Sequence, residues 1–179
     1  MLTDKEKRHL GLAHQPYDPE LAEMRLRNKE LLHEYNVLTR PSDKQTKARL
    51  ILSILGKAAN TPHINAPFYC DYGQFIEVGK NFFANYHCTI LDTGGVKIGD
   101  DVLFAPNVSL YTVGHPIDPE LRKAEWEQAL PIVIGAGSVV TKDIPANCVA
   151  VGNPCKVQRM ISPQDREDYL QRFKPDWNE

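Results

Sequence analysis

The sequence predicts a mainly β protein in which a β-solenoid follows an N-terminal α-helical segment. Two periods along the 179-residue chain indicate this arrangement. Apolar residues recur at helical spacing up to about Asn60, and beyond it pairs of one large apolar and one small residue recur at a six-residue spacing. Hydrophobic residues make up 42% of the chain, which is enough for a buried core.

Helix signals account for most of the N-terminal segment. Asp18, followed by Pro19 and Glu20, is a typical N-cap with a proline in the first helical position. Ser42 is predicted to cap a second helix. We expect both apolar stripes to pack on the chain's own core rather than on a partner, although Asn28 interrupts the first stripe. The stripes consist of Leu21, Met24, Leu31, Leu32, Tyr35 and Leu38, and of Ala48, Leu50, Ile51, Ile54 and Leu55.

The six-residue period predicts the faces of a three-sided prism. In a β-solenoid each hexapeptide forms one face, its aliphatic residue points to the axis, and its small residue lies near a corner. Three such faces predict a coil of about 18 residues. Cys70 and Cys88 have this spacing, so we expect them to stack as buried free thiols. The pairs in one frame are Ile98-Gly99, Phe104-Ala105, Ile134-Gly135 and Val140-Thr141, and Val78-Gly79 lies two residues out of frame.

Charge and cysteine usage argue against several classes of protein. The 21 basic and 23 acidic residues leave a formal charge of -2, whereas a nucleic-acid-binding protein needs an excess of Lys and Arg. No apolar run has the length of a membrane span, and the charged start of the chain does not resemble a secretory signal. The four cysteines form no C-x-x-C pair, which argues against a zinc ribbon. We therefore expect a cytoplasmic protein.

These signals divide the chain into three parts. We predict a helical segment at residues 1–60, the solenoid domain at 61–157 and a helical tail at 158–179. The sequence Gly152-Asn153-Pro154 is a turn that would end the solenoid.

Six stretches of the solenoid carry a pattern that is more specific than the repeat. They are F-Y-C-D-Y-G (68–73), N-F-F-A-N-Y (81–86), I-G-D-D-V-L-F-A-P-N-V (98–108), G-H-P-I-D (114–118), I-G-A-G-S-V-V-T-K-D-I-P (134–145) and V-G-N-P-C-K-V (151–157). With the N-terminal segment, they resemble the maltose and galactoside acetyltransferases, a group of hexapeptide-repeat O-acetyltransferases. The resemblance implies a left-handed parallel β-helix, a homotrimer with active sites between subunits, and acetyl transfer from acetyl-CoA to a sugar hydroxyl.

His115 is the predicted catalytic residue. Acetyl transfer to an alcohol needs a base that takes the hydroxyl proton, and an imidazole suits this task near neutral pH. His115 lies in the G-H-P-I-D motif, where the repeat breaks into a loop, and this match favours a catalytic role over that of an ordinary loop histidine. His87 is the next candidate. The sequence indicates no role for the remaining histidines, which are His9, His14, His33 and His63.

The resemblance also implies residues that bind the sugar acceptor. Asn85 and Asp92 match sugar-contacting positions, and Asp71 lies nearby in the sequence pattern. Glu127 matches a loop position that reaches the acceptor or orients the histidine. Two structural alternatives stay open, since Asp71 could cap a solenoid corner by accepting from backbone N–H groups, and Glu127 could be a solvated loop charge.

The resemblance places the acetyl-CoA site near the last coils. Lys142, Lys156 and Arg159 match basic contacts to the coenzyme, and Ala136 and Thr141 match positions beside the pantetheine arm. Taken singly, each cation would be an ordinary surface charge, so only their joint match indicates a site. We expect no metal, because a zinc-dependent enzyme of this fold, such as a carbonic anhydrase, needs three convergent histidines. His63 lies beside the helical segment, and only His87 and His115 lie in the solenoid proper.

The chain departs from the family pattern at one junction. Relatives carry about four further hexapeptides between the segment at Pro131-Ile132 and the segment that begins at Ile134, and here the two segments are joined almost directly. The missing stretch would supply part of the coenzyme A site. A shortened hexapeptide-repeat trimer with weak or no catalysis is therefore the alternative to an active sugar O-acetyltransferase.

Overall fold

The computed structural model describes residues 2–115, 123–129, 139–140, 148–151, 156–160 and 164. The helices among these residues are α1 (Asp4–His9), α2 (Pro19–His33), a π-helix (Glu34–Leu38) and α3 (Lys44–Ile54). Asp18 caps α2 as predicted, since its carboxylate accepts from Glu20 N and Leu21 N. The prediction of Ser42 as the cap of α3 is wrong, because Asp43 accepts from Thr46 N at 3.0 Å.

The other regular elements of the described chain are short strands. In chain order they are β1 (Ala13–His14), β2 (Lys57–Ala58), β3 (His63–Ile64), β4 (Phe68–Cys70), β5 (Ile76–Val78), β6 (Phe83–Ala84), β7 (Cys88–Leu91), β8 (Val96–Ile98), β9 (Leu103–Phe104), β10 (Ser109–Tyr111), β11 (Val113–Gly114), β12 (Glu127–Ala129), β13 (Val139–Val140), β14 (Cys148–Val151) and β15 (Lys156–Met160). Most of them are two or three residues long, as expected for strands that turn at every corner of a prism.

Three parallel sheets form the faces of a β-helix. The first face contains β2, β5 and β8, the second face contains β3, β6 and β9, and the third face contains β4, β7, β10 and β13. Successive strands along the chain therefore belong to successive faces, and each strand pairs with the strand one coil further on. This topology confirms the predicted solenoid.

The coil is longer than the sequence predicts. Paired residues are 20 positions apart, so Cys70 lies opposite Ile90 and Phe68 lies opposite Cys88. The prediction that the two cysteines stack at an 18-residue spacing is therefore wrong, although both thiols are buried and free. The two extra residues lie at the corner from the third face to the first, since the inward-facing Ile90 and Val96 are six positions apart there. At the other two corners the corresponding inward-facing residues are four positions apart, as Ala84 and Cys88 are. These shorter corners contain residues with a left-handed backbone, namely Asn81, His87, Asp101 and Asn107.

Inward-facing side chains fill the prism and form one core with α3. Leu50, Ile51 and Ile54 of α3 are buried against this core, as their helical spacing predicts. The rings of Phe82 and Phe104 pack edge to face with centroids 4.9 Å apart, an arrangement typical of aromatic pairs in cores. The frame of large apolar residues in the sequence thus corresponds to the axis of the prism.

The helical segment covers the open edge of the third face. β4 is the edge strand of that sheet, so its carbonyl and amide groups need partners outside the sheet. Asn36 donates to Phe68 O at 2.8 Å and accepts from Phe68 N at 3.0 Å. Asn28 donates to Cys70 O at 3.0 Å and to Asp71 O at 3.1 Å. Asn28 therefore belongs to the buried face of α2, whose stripe it was predicted to interrupt.

The last described strands form a hairpin. β14 and β15 are antiparallel, and their register shifts between Val149 and Ala150. The residues 158–160, which the sequence assigns to a helical tail, belong to β15; beyond them the structure describes residue 164 alone. Among the described residues, no helix has both the length and the apolar character needed to cross a membrane.

Candidate active site

A small sheet beside the β-helix brings the loop histidine next to a carboxylate. β12 lies between β1 and β11 in this three-stranded antiparallel sheet. His14 of β1 pairs with Glu127 of β12, and Gly114 of β11 pairs with Gln128. One further step of this register places His115 opposite Glu127. Residues directly opposite each other share a face of the sheet, so the register aligns His14, Glu127 and His115 in one row.

The side chains in this row are close enough to interact. Glu127 Oε1 lies 4.0 Å from His115 Nε2, and Glu127 Oε2 lies 3.9 Å from His14 Nε2. The exposed fraction of the side chain is 42% for His115, 19% for Glu127 and 0% for His14. The row therefore runs from an accessible histidine at the surface, through a mostly buried carboxylate, to a fully buried histidine.

The surroundings of Glu127 favour its neutral form more than water does. Burial is the largest effect and raises the pKa of the Glu127 carboxyl, and the negative charge of Asp71 adds to it. The positive charges of His115 and Arg25 act in the opposite direction. Glu127 is thus a carboxyl whose charge depends on its neighbours, which is a feature of functional carboxyls.

Arg25 of α2 joins the helical segment to this cluster, and the sequence did not single it out. Its guanidinium donates to Tyr72 OH and to Pro16 O, which fixes it beside the corner that follows β4. Burial raises the pKa of Asp71, and Arg25 and Lys29 oppose this shift. Asp71 and Glu127 therefore share one cation, Arg25, which brings the predicted acceptor residue Asp71 into the neighbourhood of the row.

Asp92 has a structural position in the chain. Its side chain is fully buried, and its two carboxylate oxygens accept from Tyr72 N at 2.8 Å and from Phe75 N at 3.3 Å. Burial raises the pKa of Asp92 to about 6. The corner-capping role that the sequence suggested for Asp71 thus belongs to Asp92, and the expected contact of Asp92 with a sugar is not compatible with this geometry.

Asn85 lies at another corner of the prism. It follows β6 on the second face, and its side-chain oxygen accepts from Tyr86 N at 2.8 Å. Asp71 and His115, in contrast, follow strands β4 and β11 near the end of the third face. Within one chain the structure therefore brings together His115, Glu127 and Asp71, and it does not bring Asn85 to them.

The predicted donor residues are only partly within the described structure. Lys156 and Arg159 lie on β15 and are exposed, whereas Ala136, Thr141 and Lys142 lie outside the described residues. One step along β14 at the register shift corresponds to two steps along β15, so Lys156 and Arg159 fall on the same face of the hairpin. In the described part of the chain, no group of three or more His, Cys, Asp or Glu side chains could hold a metal ion.

Coils of parallel strands that open into a loop carrying a histidine beside a carboxylate define the chain as a hexapeptide-repeat acyltransferase. A family model described as the maltose acetyltransferase hexapeptide capping motif matches residues 7–59, which include the helices that cover the edge of β4. The galactoside O-acetyltransferase of Escherichia coli K12 is 39% identical over 178 residues, with 86% of this chain and 87% of that protein covered. The chain belongs to the maltose and galactoside acetyltransferase family, and it is an acetyl-CoA-dependent O-acetyltransferase.

Solved structures of similar proteins agree with this assignment. A maltose O-acetyltransferase from Clostridium difficile 630 has a TM-score of 0.82 and 38% identity, and the match covers 90% of this chain and 98% of that chain. A galactoside acetyltransferase in complex with coenzyme A also has a TM-score of 0.82, with 36% identity and coverage of 93% and 94%. These likenesses confirm the predicted left-handed β-helix with its N-terminal helical segment.

The sequence match also bears on the shortened junction. The alignment with the Escherichia coli relative spans 178 positions, which is more than the number of residues in 86% of this chain. The excess corresponds to gaps in this chain, as expected if the relative carries residues that this chain lacks. The predicted gap after Ile132 lies outside the described residues. β13 pairs directly with β10, so the chain returns to the third face after the loop.

Proposed function

We propose that the protein transfers an acetyl group from acetyl-CoA to a hydroxyl of a sugar of the maltose, glucose or galactoside type, with His115 as the general base. The observation that carries the proposal is the register of the small sheet, which sets His115 against Glu127 at an accessible edge. The family supports the substrate class, since its relatives are maltose and galactoside acetyltransferases.

The accessibility of the His115 side chain supports its role as the base. Its imidazole takes the proton of the sugar hydroxyl while the sugar oxygen attacks the thioester carbonyl. The tetrahedral intermediate then releases the thiolate of coenzyme A, which takes the proton back from the imidazolium. Glu127, 4.0 Å from Nε2, stabilises the imidazolium that forms between these two steps.

We assign the acceptor site to the side chains around this row. Asp71 and Glu127 offer carboxylate oxygens that accept from sugar hydroxyl groups, and Arg25 holds both acids in place through its charge. Asn85 would join this site from another subunit, because in its own chain it lies at a different corner.

The donor site is proposed to use the cations of the final hairpin. Lys156 and Arg159 lie on one face of β14–β15 and would bind the phosphates of coenzyme A. Ala136, Thr141 and Lys142 complete this proposal by family resemblance alone.

The outward side of the second face supports a homotrimer. His63, Phe83 and Leu103 are stacked in register there, the rings of His63 and Phe83 are 5.4 Å apart, and Leu103 is 74% exposed. An apolar row of this kind is costly in water and is usually covered by another subunit. The first face instead presents charged residues outward, namely Lys57, Glu77 and Lys97. We propose that three second faces meet in the trimer.

Release of free coenzyme A, measured with a thiol reagent, tests the activity on maltose, glucose and a galactoside. We expect acetyl transfer by the wild type and a fall in kcat of about 10²–10⁴-fold for His115→Ala. His33→Ala, which alters an exposed histidine at the end of α2, should leave kcat unchanged. Equal rates for wild type and His115→Ala would refute the role of His115.

The shortened junction favours one alternative, a trimer whose coenzyme A site is impaired. Isothermal titration with coenzyme A separates the two functions, because it measures the donor site without any sugar. Binding that weakens in Lys156→Ala and Arg159→Ala supports the enzyme. A wild-type chain that forms trimers but shows no heat of binding supports the alternative.

A further inference from the structure

At the buried end of the row, two hydrogen-bond acceptors, His14 Nε2 and Glu127 Oε2, face each other, and a proton between them would allow them to bond. His14 is fully buried, and its Nδ1 lies 3.3 Å from Leu12 O. A carbonyl oxygen only accepts, so this bond requires a hydrogen on Nδ1. In the neutral ring Nε2 then carries a lone pair, and this lone pair faces Glu127 Oε2 at 3.9 Å. Within the part of the chain that the structure describes, His14 Nε2 has no hydrogen-bond partner.

A buried polar atom without a partner is rare and calls for an explanation. The two acceptors, His14 Nε2 and Glu127 Oε2, can approach only if one proton lies between them. Catalytic hydrogen bonds are often long in the free enzyme and shorten when substrate binds, so a gap of 3.9 Å suits a contact that closes during the reaction.

We infer that His14 is a positioning residue, which shares one proton with Glu127 and thereby orients the carboxylate toward His115. The inference rests on the proposed role of His115 as the base. Glu127 carries the shared proton in one form of the pair, and His14 carries it as an imidazolium in the other. The antiparallel register of β1 and β12 holds both side chains on one face of the sheet.

The charges around the pair favour the sharing of a proton over two separate titrations. Burial lowers the pKa of His14 and raises the pKa of Glu127, so the two pKa values lie closer together than in water. Arg8 and Arg25 oppose a positive charge on His14, and Asp4 favours it. The groups that face Glu127 are His115, Arg25 and Asp71. The pair gains its single proton more readily than Glu127 would alone, because the bond to Nε2 stabilises the protonated form.

The pH dependence of kcat distinguishes this role from simple packing. In the wild type, kcat rises with pH as the pair loses its proton and Glu127 becomes able to stabilise the His115 imidazolium. We expect His14→Phe to lower the plateau of kcat about 10-fold, since the carboxylate loses an anchor. The rising part of the kcat–pH profile, its rising limb, should also move to lower pH in His14→Phe, since Glu127 no longer shares its proton with His14. His14→Gln should restore the plateau through its amide but keep the shifted limb, because an amide does not titrate.

Two comparisons control the experiment. His33→Phe makes the same exchange at an exposed position of α2 and should change neither plateau nor limb. In a Glu127→Gln background, His14→Phe should have almost no further effect, because the group it orients is gone. A full 10-fold loss in that background would overturn the inference, and so would an unshifted limb in both His14 variants.

A measurement on the full chain without substrate separates this inference from the proposed function. The side-chain carboxyl of Glu127, followed by ¹³C NMR, should titrate at lower pH in His14→Gln than in the wild type. This result stands even if no sugar is acetylated, in which case the proposed function fails and the pairing does not. An unchanged titration refutes the pairing whether or not the protein is active. If His14→Phe does not fold, the titration of Glu127 in His14→Gln still tests the pairing.

Discussion

Replacing Asp92 by asparagine should change how the stability of the protein depends on pH. Asp92 is fully buried, and burial raises its pKa from the ordinary value of 3.8 to about 6. Between these two values the folded chain holds a proton that the unfolded chain has released. Stability therefore falls as pH rises through this window and levels off above the folded pKa.

The size of the effect follows from the shift. One pKa unit corresponds to about 1.4 kcal/mol, so the full shift of Asp92 corresponds to about 3 kcal/mol, of which about 2.4 kcal/mol is lost between pH 4 and pH 7. The asparagine side chain cannot ionise, and its amide retains one oxygen for the 2.8 Å bond from Tyr72 N. Asp92→Asn should therefore be the less stable protein at pH 4, and it should recover about 2.4 kcal/mol relative to the wild type by pH 7.

Urea unfolding at a fixed protomer concentration measures this difference at each pH. Subtracting the two proteins removes the contribution of the other acids that titrate in the same window, among them Asp71 and Glu127. Asp100→Asn is the matched control, since Asp100 accepts from Lys80 N at 2.7 Å at an exposed corner that water reaches. A difference between wild type and Asp92→Asn that stays constant from pH 4 to pH 7 would refute the reasoning.

Three further changes have expected outcomes. Gly73→Ala should lower the free energy of unfolding in urea by more than about 2 kcal/mol, because Gly73 has φ of +68° and a Cβ would lie 2.5 Å from a backbone oxygen. In the control Gly99→Ala, a Cβ meets nothing within 4 Å, so the loss should be less than about 1 kcal/mol. Tyr35→Phe should cost about 1 kcal/mol, since it removes the buried bond from the hydroxyl to a strand carbonyl. Leu103→Arg should convert a trimer into monomers by light scattering, and an unchanged mass would contradict the proposed interface.

The sequence contains most of the information that defines the β-helix. Ile98 and Phe104 occupy the same frame in the repeat, and both are buried on the axis of the prism. The length of the coil was less accessible, because the two extra residues lie at the one corner that joins the third face to the first, as between Ile90 and Val96. An insertion at a corner changes the spacing between faces without changing the alternation within each face.

The residues of the candidate site also fall into two groups, those that the sequence could indicate and those that only the fold brings together. His115 and Glu127 stand within or beside a motif, so a sequence pattern is able to point to them. His14 and Arg25 come from the helical segment, far away in the chain, and only the pairing of β1 with β12 and the packing of α2 bring them to the site. Asp92 was misassigned because its role depends on which residues stack in the neighbouring coil.

The same helical segment both covers the β-helix and contributes to the candidate site. Its asparagines satisfy the edge of β4, and its strand β1 completes the sheet that holds Glu127. Arg8 ties the start of the segment to the coils, since it lies 3.5 Å from the centre of the Phe75 ring and donates to Thr93 O. A change that loosens this attachment should reach the active site through β1, whereas a change in the charged first face should affect stability alone. The segment that matches the family's capping motif thus also contributes, in this chain, a strand to the sheet that holds His115 and Glu127.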